Sequence, residues 1–226
     1  MSAIRLGTRA STLATTQSEM VARLLRSEGL DVDLTTITTH GDTSTASLAA
    51  MGGIGVFASA IRATLLKGEA DIAVHSFKDL PTGRPLGLAI GAVPARADPR
   101  DALVARDGLT LHDLPQEASV GTGSPRRAAQ LLAVRPDLTI VDIRGNVDTR
   151  LGRVKGLGHY AKGGGKEDLD AVVLAASGLA RLGHSGTVTE FLDPSVVLPA
   201  PAQGALAVEC RTADSRHGKL AKALAR

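Results

Sequence analysis

The sequence predicts an α/β protein of two domains with mixed, mostly parallel sheets. Short apolar runs rich in Val and Ile, each bounded by turn residues, alternate along the chain with segments of helical periodicity. Proline and charge interrupt this pattern at 94–101 (PARADPRD), which indicates a crossover between domains. With 226 residues, of which 43% are hydrophobic, the chain is long enough to build two cores.

The first half of the chain begins with a predicted strand at 3–7. Ser11 can cap the helix that follows, which should run to about Glu28. Apolar residues recur within that helix at helical spacing, namely Met20, Val21, Leu24 and Leu25. The next predicted elements are a strand near 32–39, a Gly/Ser/Thr-rich stretch over 40–55, a helix near 58–67, and strands at DIAVH and GLAIGAV.

A second α/β unit follows the crossover, and the sequence shows no internal repeat. Its predicted elements are strands at 118–121, 138–143 and 170–175 and helices at 124–134, 147–155 and 177–182. The Gly/Lys-rich segment 155–168 is predicted to be a solvent-exposed loop without chemistry. LPAPAQGALAVEC then predicts a last strand that rejoins the first domain. The expected domains are therefore 1–95 plus 200–226, and 99–196.

Composition excludes several classes of function. The formal net charge is only +3, aromatic residues make up 2%, and no dense Lys/Arg block occurs, so neither nucleic-acid binding nor membrane binding is expected. No metal-binding spacing is present. The single cysteine, Cys210, excludes an internal disulfide and is predicted to be a small buried side chain in the last strand. No apolar run approaches 18 residues, so a soluble, cytoplasmic protein is expected. It is also expected to be a monomer.

Arginines stand in Gly/Ser/Thr-rich turns at four points, each directly after an apolar run. The segments are IRLGTRAS, ASVGTGSPRR, TIVDIRGNVDTR and VVLAASGLARLG, and a fifth run, DIAVHSFKDLP, delivers Lys78 and Asp79. In open α/β sheets, ligands collect beyond the carboxyl ends of the strands. A planar guanidinium matches a carboxylate through two hydrogen bonds. These turns therefore predict a crevice for a ligand that carries several carboxylates.

GTGSPRRAAQLL is the sharpest local signal. Ser124 is a good N-cap, Pro125 suits the first helical position, and free N–H groups there favour an anion. Arg126 and Arg127 oppose the positive end of the helix dipole, so something negative should compensate them. An ordinary capped helix with exposed arginines is the alternative.

The other basic side chains are weaker signals when taken singly. Arg9 could be a surface arginine, and Arg150 could belong to a solvated helix face. Arg181 could equally be an arginine without a role in binding. Asp79 is the candidate for chemistry, because Leu80 and Pro81 bend the chain and fix its carboxylate. An ionised carboxylate among cations can stabilise a developing positive charge or transfer a proton. The alternative is a Lys-Asp surface turn.

Taken together and in this order, the segments resemble the porphobilinogen deaminase (hydroxymethylbilane synthase) family. The family fold implied is a pair of domains of type-2 periplasmic-binding-protein topology around a cleft, with a small third domain. The activity implied is the condensation of four porphobilinogen molecules into hydroxymethylbilane, with ammonia released at each addition. The matching segments, which cover nearly the whole chain, are IRLGTRAS, VHSFKDLP, RADPRD, GTGSPRRAAQL, IRGNVDTRL, ASGLARLG and LPAPAQGALAVEC.

The resemblance also implies residue roles. Asp79 would stabilise the cationic azafulvene that forms when ammonia leaves, and would help to move protons. The side chains implied to bind the acidic groups of substrate, growing chain and cofactor are Arg9, Ser11, Lys78, Thr122, Ser124, Arg126, Arg127, Arg144, Arg150, Arg181 and Gln203.

The cofactor implied is a dipyrromethane bonded to a cysteine of the third domain. The chain ends at Arg226, where that domain would begin, and Cys210 does not match the attachment cysteine. The expectation is therefore a fragment or a two-domain form. A non-catalytic binder of carboxylated pyrroles or other polycarboxylates is the alternative function.

Overall fold

The computed structural model describes residues 3–37, 56–83 and 85–212. The chain divides into two compact units, one formed by Met1–Ala97 with Ala205–Arg226 and the other by Asp98–Gly204. The predicted Gly/Ser/Thr-rich stretch 40–55 and the end of the strand predicted at 32–39 lie outside the described residues. No helix in the described ranges is both long enough and apolar enough to span a bilayer.

The first unit contains one five-stranded sheet, in the order β2-β1-β3-β10-β4. Strand β1 is parallel to both β2 and β3, whereas β10 is antiparallel to both β3 and β4. The elements are β1 (Ile4–Arg9), α1 (Thr12–Ser27), β2 (Val32–Ile37), α2 (Val56–Leu66), β3 (Ile72–Ser76), β4 (Leu88–Ala92) and β10 (Leu206–Arg211).

Local signals explain where α1 begins and which face it buries. The Ser11 side chain accepts a hydrogen bond from the Ala14 N–H, as an N-cap should. Val21 and Leu25, four residues apart, lie on the same face of the helix and are fully buried. They pack in one cluster with Ile4 and Leu6 of β1. The helix predicted from Ser11 to about Glu28 is thus confirmed.

The second unit contains another five-stranded sheet, in the order β7-β6-β8-β5-β9. Here β6 is parallel to β7 and β8, and β5 is antiparallel to β8 and β9. The elements are β5 (Asp101–Ala105), β6 (Ser119–Gly121), α3 (Pro125–Val134), β7 (Thr139–Val141), α4 (Val147–Leu151), β8 (Ala171–Ala175), α5 (Ala176–Arg181) and β9 (Glu190–Phe191).

The two units share one architecture that no sequence repeat reveals. In each sheet two consecutive strands are parallel neighbours and the later one is at the edge (β2 beside β1, β7 beside β6), and the next parallel strand (β3 or β8) lies on the other side of the earlier one. An antiparallel strand follows, β10 in one unit and β5 in the other. Each sheet thus has one strand that runs against the other four, which confirms the predicted mixed, mostly parallel sheets.

Strand β5 is the main element that the sequence analysis did not predict. Residues 94–101 were assigned to a crossover, and Asp101 is the first residue of the strand. All five residues of β5 are buried, including the aspartate. The strand was not predicted because it begins with a carboxylate, and charged residues are rarely buried unless they are paired.

The segment 155–168 is more ordered than the exposed loop that was predicted. Helix α4 ends at Leu151 rather than near 155, and the chain then packs back on itself. Leu157 and Tyr160 contact the core of the second unit. The Glu167 carboxylate accepts hydrogen bonds from the N–H groups of Gly156 and Gly158 at 2.9 and 3.0 Å. Most of the other side chains of the segment 155–168 are nevertheless exposed.

Buried carboxylates are held by cations in both units. Glu209 of β10 is 1% exposed and lies 2.9 Å from Arg62 and 3.3 Å from His75 Nε2. The geometry of the His75 contact does not meet the requirements of a hydrogen bond. Burial opposes ionisation, but His75 and Arg62 outweigh it, so the pKa of Glu209 lies below its ordinary value.

Asp170, which precedes β8, is held in a similar way. Its carboxylate accepts hydrogen bonds from Arg106, Lys155 and the Ser119 N–H at 2.8, 2.9 and 2.9 Å. Burial raises the pKa of Asp170, but Lys155, Ser119 and Arg106 together bring it well below the ordinary value.

We expect the protein to lose stability in acid. A carboxylate whose native pKa is depressed contributes stability that is fully present above its unfolded-state pKa, about 4. That contribution is lost as the pH falls towards the lower native pKa. The urea midpoint should therefore change little from pH 7 to pH 5 and should fall between about pH 4 and pH 2. A midpoint that is unchanged at pH 3 would show that Glu209 and Asp170 are not stabilised in their ionised form.

Candidate functional site

In the first unit, the predicted site residues follow two neighbouring parallel strands. Arg9 is the last residue of β1, and Lys78 and Asp79 lie in a single 3₁₀ turn, Phe77–Asp79, directly after β3. Leu6 of β1 is paired with Ile72 of β3, so both strands end at the same edge of the sheet. The topology therefore places Arg9, Ser11, Lys78 and Asp79 at one edge, as the sequence analysis predicted for these strands.

A pair of side-chain hydrogen bonds connects helix α1 to the end of β3 at this edge. Gln17 of α1 is 4% exposed, and its amide both donates to and accepts from the Ser76 hydroxyl, at 3.1 and 3.2 Å. This pair ties the first turns of α1 to the last residue of β3. Ser11, at the start of the same helix, therefore has a defined position relative to the turn that carries Asp79.

The turn itself separates an anchored residue from an exposed one. Leu80 is 8% exposed and packs with Ala58 and Ala207, whereas Asp79 is exposed. The Phe77 N–H donates to the Ala205 carbonyl at 3.1 Å, and the Leu80 N–H donates to the Phe77 carbonyl at 3.2 Å. The backbone on either side of Asp79 is thus held, and its carboxylate faces solvent, where a ligand can reach it.

In the second unit, three predicted segments also follow parallel strands. Thr122 and Ser124 come after β6, Arg144 comes after β7, and Arg181 lies at the end of the helix that follows β8. Because β6 is parallel to β7 and to β8, these segments begin at the same edge of the second sheet. The topology is therefore compatible with the predicted cluster, which stays a prediction for the side chains themselves.

The turn before α3 is built from short polar side chains and a glycine. The hydroxyl of Thr122, which is 3% exposed, accepts from the Ser124 N–H at 3.2 Å. The Ser124 hydroxyl in turn caps α3 by accepting from the Arg127 N–H at 3.4 Å. A Cβ at Gly123 would lie 2.7 Å from the Ile143 carbonyl oxygen, so only glycine fits against the segment that leads to Arg144.

The compensating charge for Arg126 and Arg127 comes from the chain itself. Asp101, the first residue of β5, is fully buried. Its Oδ2 accepts from Arg126 Nη2 at 2.8 Å, and its Oδ1 accepts from Arg127 Nη2 at 2.7 Å. The two arginines predicted a compensating negative group at this helix end, but the sequence did not show that Asp101 supplies it. One carboxylate against two guanidinium groups still leaves a positive charge of one.

Gln203 completes the surroundings of Asp101. The Gln203 side chain is fully buried, and its Nε2 donates to Asp101 Oδ1 and to the Pro99 carbonyl, both at 2.7 Å. Burial alone would raise the pKa of Asp101, but hydrogen bonds from Arg127, Arg126 and Gln203 keep that pKa below its ordinary value. Asp101 is therefore an ionised carboxylate with three side-chain donors.

The available sequence signal for Asp101 was indirect. It lies in RADPRD, a segment already noted, and it precedes the apolar run ALVA. The segment that carries the paired arginines contains no acidic residue. A compensating acidic residue must therefore come from elsewhere in the chain, and an aspartate at the start of a strand is one candidate. Nothing in the local pattern selects Asp101 over Asp98, which in the structure binds Arg100 at 2.7 Å.

Arg150 and Arg181 contact backbone carbonyls within the second unit. Arg150 Nε donates to the Gly145 carbonyl at 2.9 Å, and the Asn146 side chain caps α4. Gly145 has φ 101°, a left-handed conformation that favours glycine, so Arg150 supports the turn that carries Arg144. Arg181 Nη2 donates to the Gly204 carbonyl at 2.7 Å, and burial lowers the pKa of Arg181.

Sequence comparisons identify the family of this chain. Residues 4–219 match the family model described as porphobilinogen deaminase, dipyromethane cofactor binding domain. The chain belongs to the porphobilinogen deaminase family. It is 97% identical over 226 residues to the porphobilinogen deaminase of Cutibacterium acnes, covering 100% of this chain and 68% of that protein. It is 59% identical over 221 residues to that of Micrococcus luteus, covering 95% and 59%.

The chain therefore spans about two thirds of the length of the curated porphobilinogen deaminases that it matches. The solved structures establish the fold. A periplasmic substrate-binding protein of an ABC transporter from Coxiella burnetii superposes with a TM-score of 0.57 at 17% identity, covering 99% of this chain and 92% of that one. A nutrient-binding protein from Burkholderia cenocepacia gives 0.57 at 15% identity, with the same coverage. The predicted type-2 periplasmic-binding-protein topology is confirmed.

The second unit also fits the cofactor of this family. A dipyrromethane carries carboxylate side chains, and the buried Nε atoms of Arg127 and Arg181 have no hydrogen-bond partner among the described residues. Arg127 lies in the first turn of the ten-residue helix α3, whose N-terminal N–H groups also suit an acidic group. Cys210 is fully buried in β10 and paired with Ile72 and Ala89, which agrees with its prediction as a small buried side chain.

Proposed function

We propose that this chain forms the substrate- and cofactor-binding part of a hydroxymethylbilane synthase, which condenses four porphobilinogen molecules into a linear tetrapyrrole with release of ammonia. The observation that carries the proposal is the family match over residues 4–219. The geometry of both units supports it, since each places basic or hydroxyl side chains at the carboxyl edge of its sheet.

The first unit would supply the reacting carboxylate. Loss of ammonia from porphobilinogen leaves a positively charged carbon, and Asp79 would stabilise that charge and accept or return a proton. Arg9, Ser11 and Lys78 would bind acetate and propionate groups of the substrate. The exposed position of Asp79 and its anchored turn support this assignment.

The second unit would hold the acidic groups of the cofactor and of the growing chain. The side chains proposed for this role are Thr122, Ser124, Arg126, Arg127, Arg144, Arg150 and Arg181. Gln203, which is fully buried, would contribute through its hydrogen bond to Asp101. Bound dipyrromethane would supply the terminal pyrrole carbon to which the first substrate is joined. A monomeric state and a cytoplasmic location remain predictions from the sequence.

Turnover of porphobilinogen tests the proposal. Purified protein should consume porphobilinogen and release an equimolar amount of ammonia, measured together with formation of the bilane. Calorimetric titration of the 226-residue chain with porphobilinogen measures binding independently. Tight binding without any product would favour the alternative, a binder of carboxylated pyrroles. If the protein neither binds porphobilinogen nor converts it, both functions are contradicted.

A further inference from the structure

We propose that Asp101 is a positioning residue that sets the orientation of Arg126 and Arg127 for carboxylate binding. The proposal rests on the proposed function of these two arginines as ligand-binding groups. Asp101 itself is 0% exposed, so a ligand does not reach it. Its influence on binding would pass through the two guanidinium groups that it contacts.

The arginines are each held at two points. Arg126 donates through Nη2 to Asp101 and through Nη1 to the Leu198 carbonyl. Arg127 donates through Nη2 to Asp101 and through Nη1 to the Val173 carbonyl, at 2.7 and 3.1 Å. A guanidinium is planar and its Nε is bonded to the side chain, so hydrogen bonds at both Nη atoms restrict rotation of the whole group. Each carboxylate oxygen of Asp101 holds one of the two groups.

Asp101 is in turn held by groups on its own unit. Gln203 donates to Oδ1, and β5 is paired with β8 so that Asp101 lies opposite Ala175. The Asp101 side chain is thus oriented before any ligand arrives. A preorganised arginine loses less conformational freedom when it binds a carboxylate than a mobile one does.

The two arginines are not equivalent in this arrangement. The side chain of Arg126 is 28% exposed, whereas that of Arg127 is 8% exposed. Arg126 therefore presents the accessible part of the pair to a ligand. The guanidinium group of Arg127 is buried and also binds Asp101. Because the Asp101 carboxylate is divided between two arginines, it does not neutralise the charge of Arg126 completely.

Two substitutions separate the position of the carboxylate from its charge. Asp101→Glu keeps the charge and moves the carboxylate by one methylene, whereas Asp101→Asn keeps the shape and removes the charge. Asp170→Glu is the matched control, because Asp170 is a buried, cation-paired carboxylate beside the opposite end of β8. Calorimetry with porphobilinogen measures binding, and the ¹⁵N resonances of the guanidinium groups report rotation of Arg126 and Arg127.

We expect Asp101→Glu to weaken porphobilinogen binding about tenfold or more, by loss of oriented charged hydrogen bonds. The separate Nη resonances of Arg126 and Arg127 seen in the unchanged chain should merge as rotation becomes free. Asp170→Glu should change neither. If Asp101→Glu binds as tightly as the unchanged chain and Asp101→Asn binds more tightly, Asp101 acts only through its charge and the proposal fails.

The guanidinium resonances decide the proposal even where binding cannot. If the unchanged chain binds no porphobilinogen, the proposed function fails on that result alone. Restricted rotation of both guanidinium groups that is lost in Asp101→Asn, the isosteric variant, would still support positioning by Asp101. Free rotation in the unchanged chain would overturn it.

Discussion

Asp79→Asn should lower the rate of porphobilinogen consumption by about 100- to 10,000-fold, the range that a positioned acid–base group contributes. The physical reason is the loss of a negative charge and a proton acceptor at the point where the substrate carbon becomes positive. Asp79 is exposed, and the turn around it is held by backbone hydrogen bonds and by buried Leu80. The substitution should therefore leave the urea midpoint unchanged.

Asp33→Asn is the matched control for this experiment. Asp33 is an exposed aspartate on β2 of the same sheet, so its substitution removes the same charge from the same unit. Initial rates of both variants should be compared at saturating porphobilinogen. Undiminished turnover in Asp79→Asn would contradict the role proposed for Asp79, whatever the behaviour of the control.

Arg127→Leu should destabilise the protein by about 3 kcal/mol, because it breaks a buried ion pair and leaves Asp101 undercompensated. Arg127 is 6% exposed, and its removal also leaves the Val173 carbonyl without that donor. Arg126 and Gln203 still contact Asp101, which places the expected loss at the lower end of the range for broken buried pairs. Urea unfolding measures the change.

Arg126→Leu should behave differently, although the two residues are adjacent. The Arg126 side chain is 28% exposed, so its loss should cost less stability and should weaken carboxylate binding by about 1.5–3 kcal/mol for each charged hydrogen bond lost. Arg23→Leu serves as the control, since Arg23 is 74% exposed on α1 and its pair with Glu19 is worth about 0.5 kcal/mol or less. Equal stability losses in Arg126→Leu and Arg127→Leu would contradict the division of the pair.

Local chemistry allowed much of the fold to be predicted from the sequence. Ser11, Ser124 and Asn146 cap helices α1, α3 and α4 through hydrogen bonds to N–H groups three residues further along. Such bonds depend only on neighbours in the chain, so the sequence suffices to predict them. The last strand was predictable for a related reason, since LPAPAQ is a Pro-rich segment and the apolar run ALAVEC that follows it is typical of a buried strand.

The start of β5 and the roles of its aspartate depend on contacts that are distant in sequence. Asp101 meets Arg126 and Arg127 across 25 and 26 residues. That contact exists only because β5 inserts beside β8, two strands away from β6, the strand that leads into α3. The position of the carboxylate therefore follows from the strand order of the sheet, which no local pattern contains.

The sequence by itself determined which segments turn at the ends of strands, and therefore which arginines and which aspartate could meet a ligand. Tertiary structure decided how those groups are used within each unit. It placed a buried acid beneath one arginine pair, set Arg150 against the Gly145 carbonyl, and left Asp79 open to solvent. The physical reason is range: caps and turns form between near neighbours, whereas charge compensation requires the folded sheet to bring distant residues within hydrogen-bond distance.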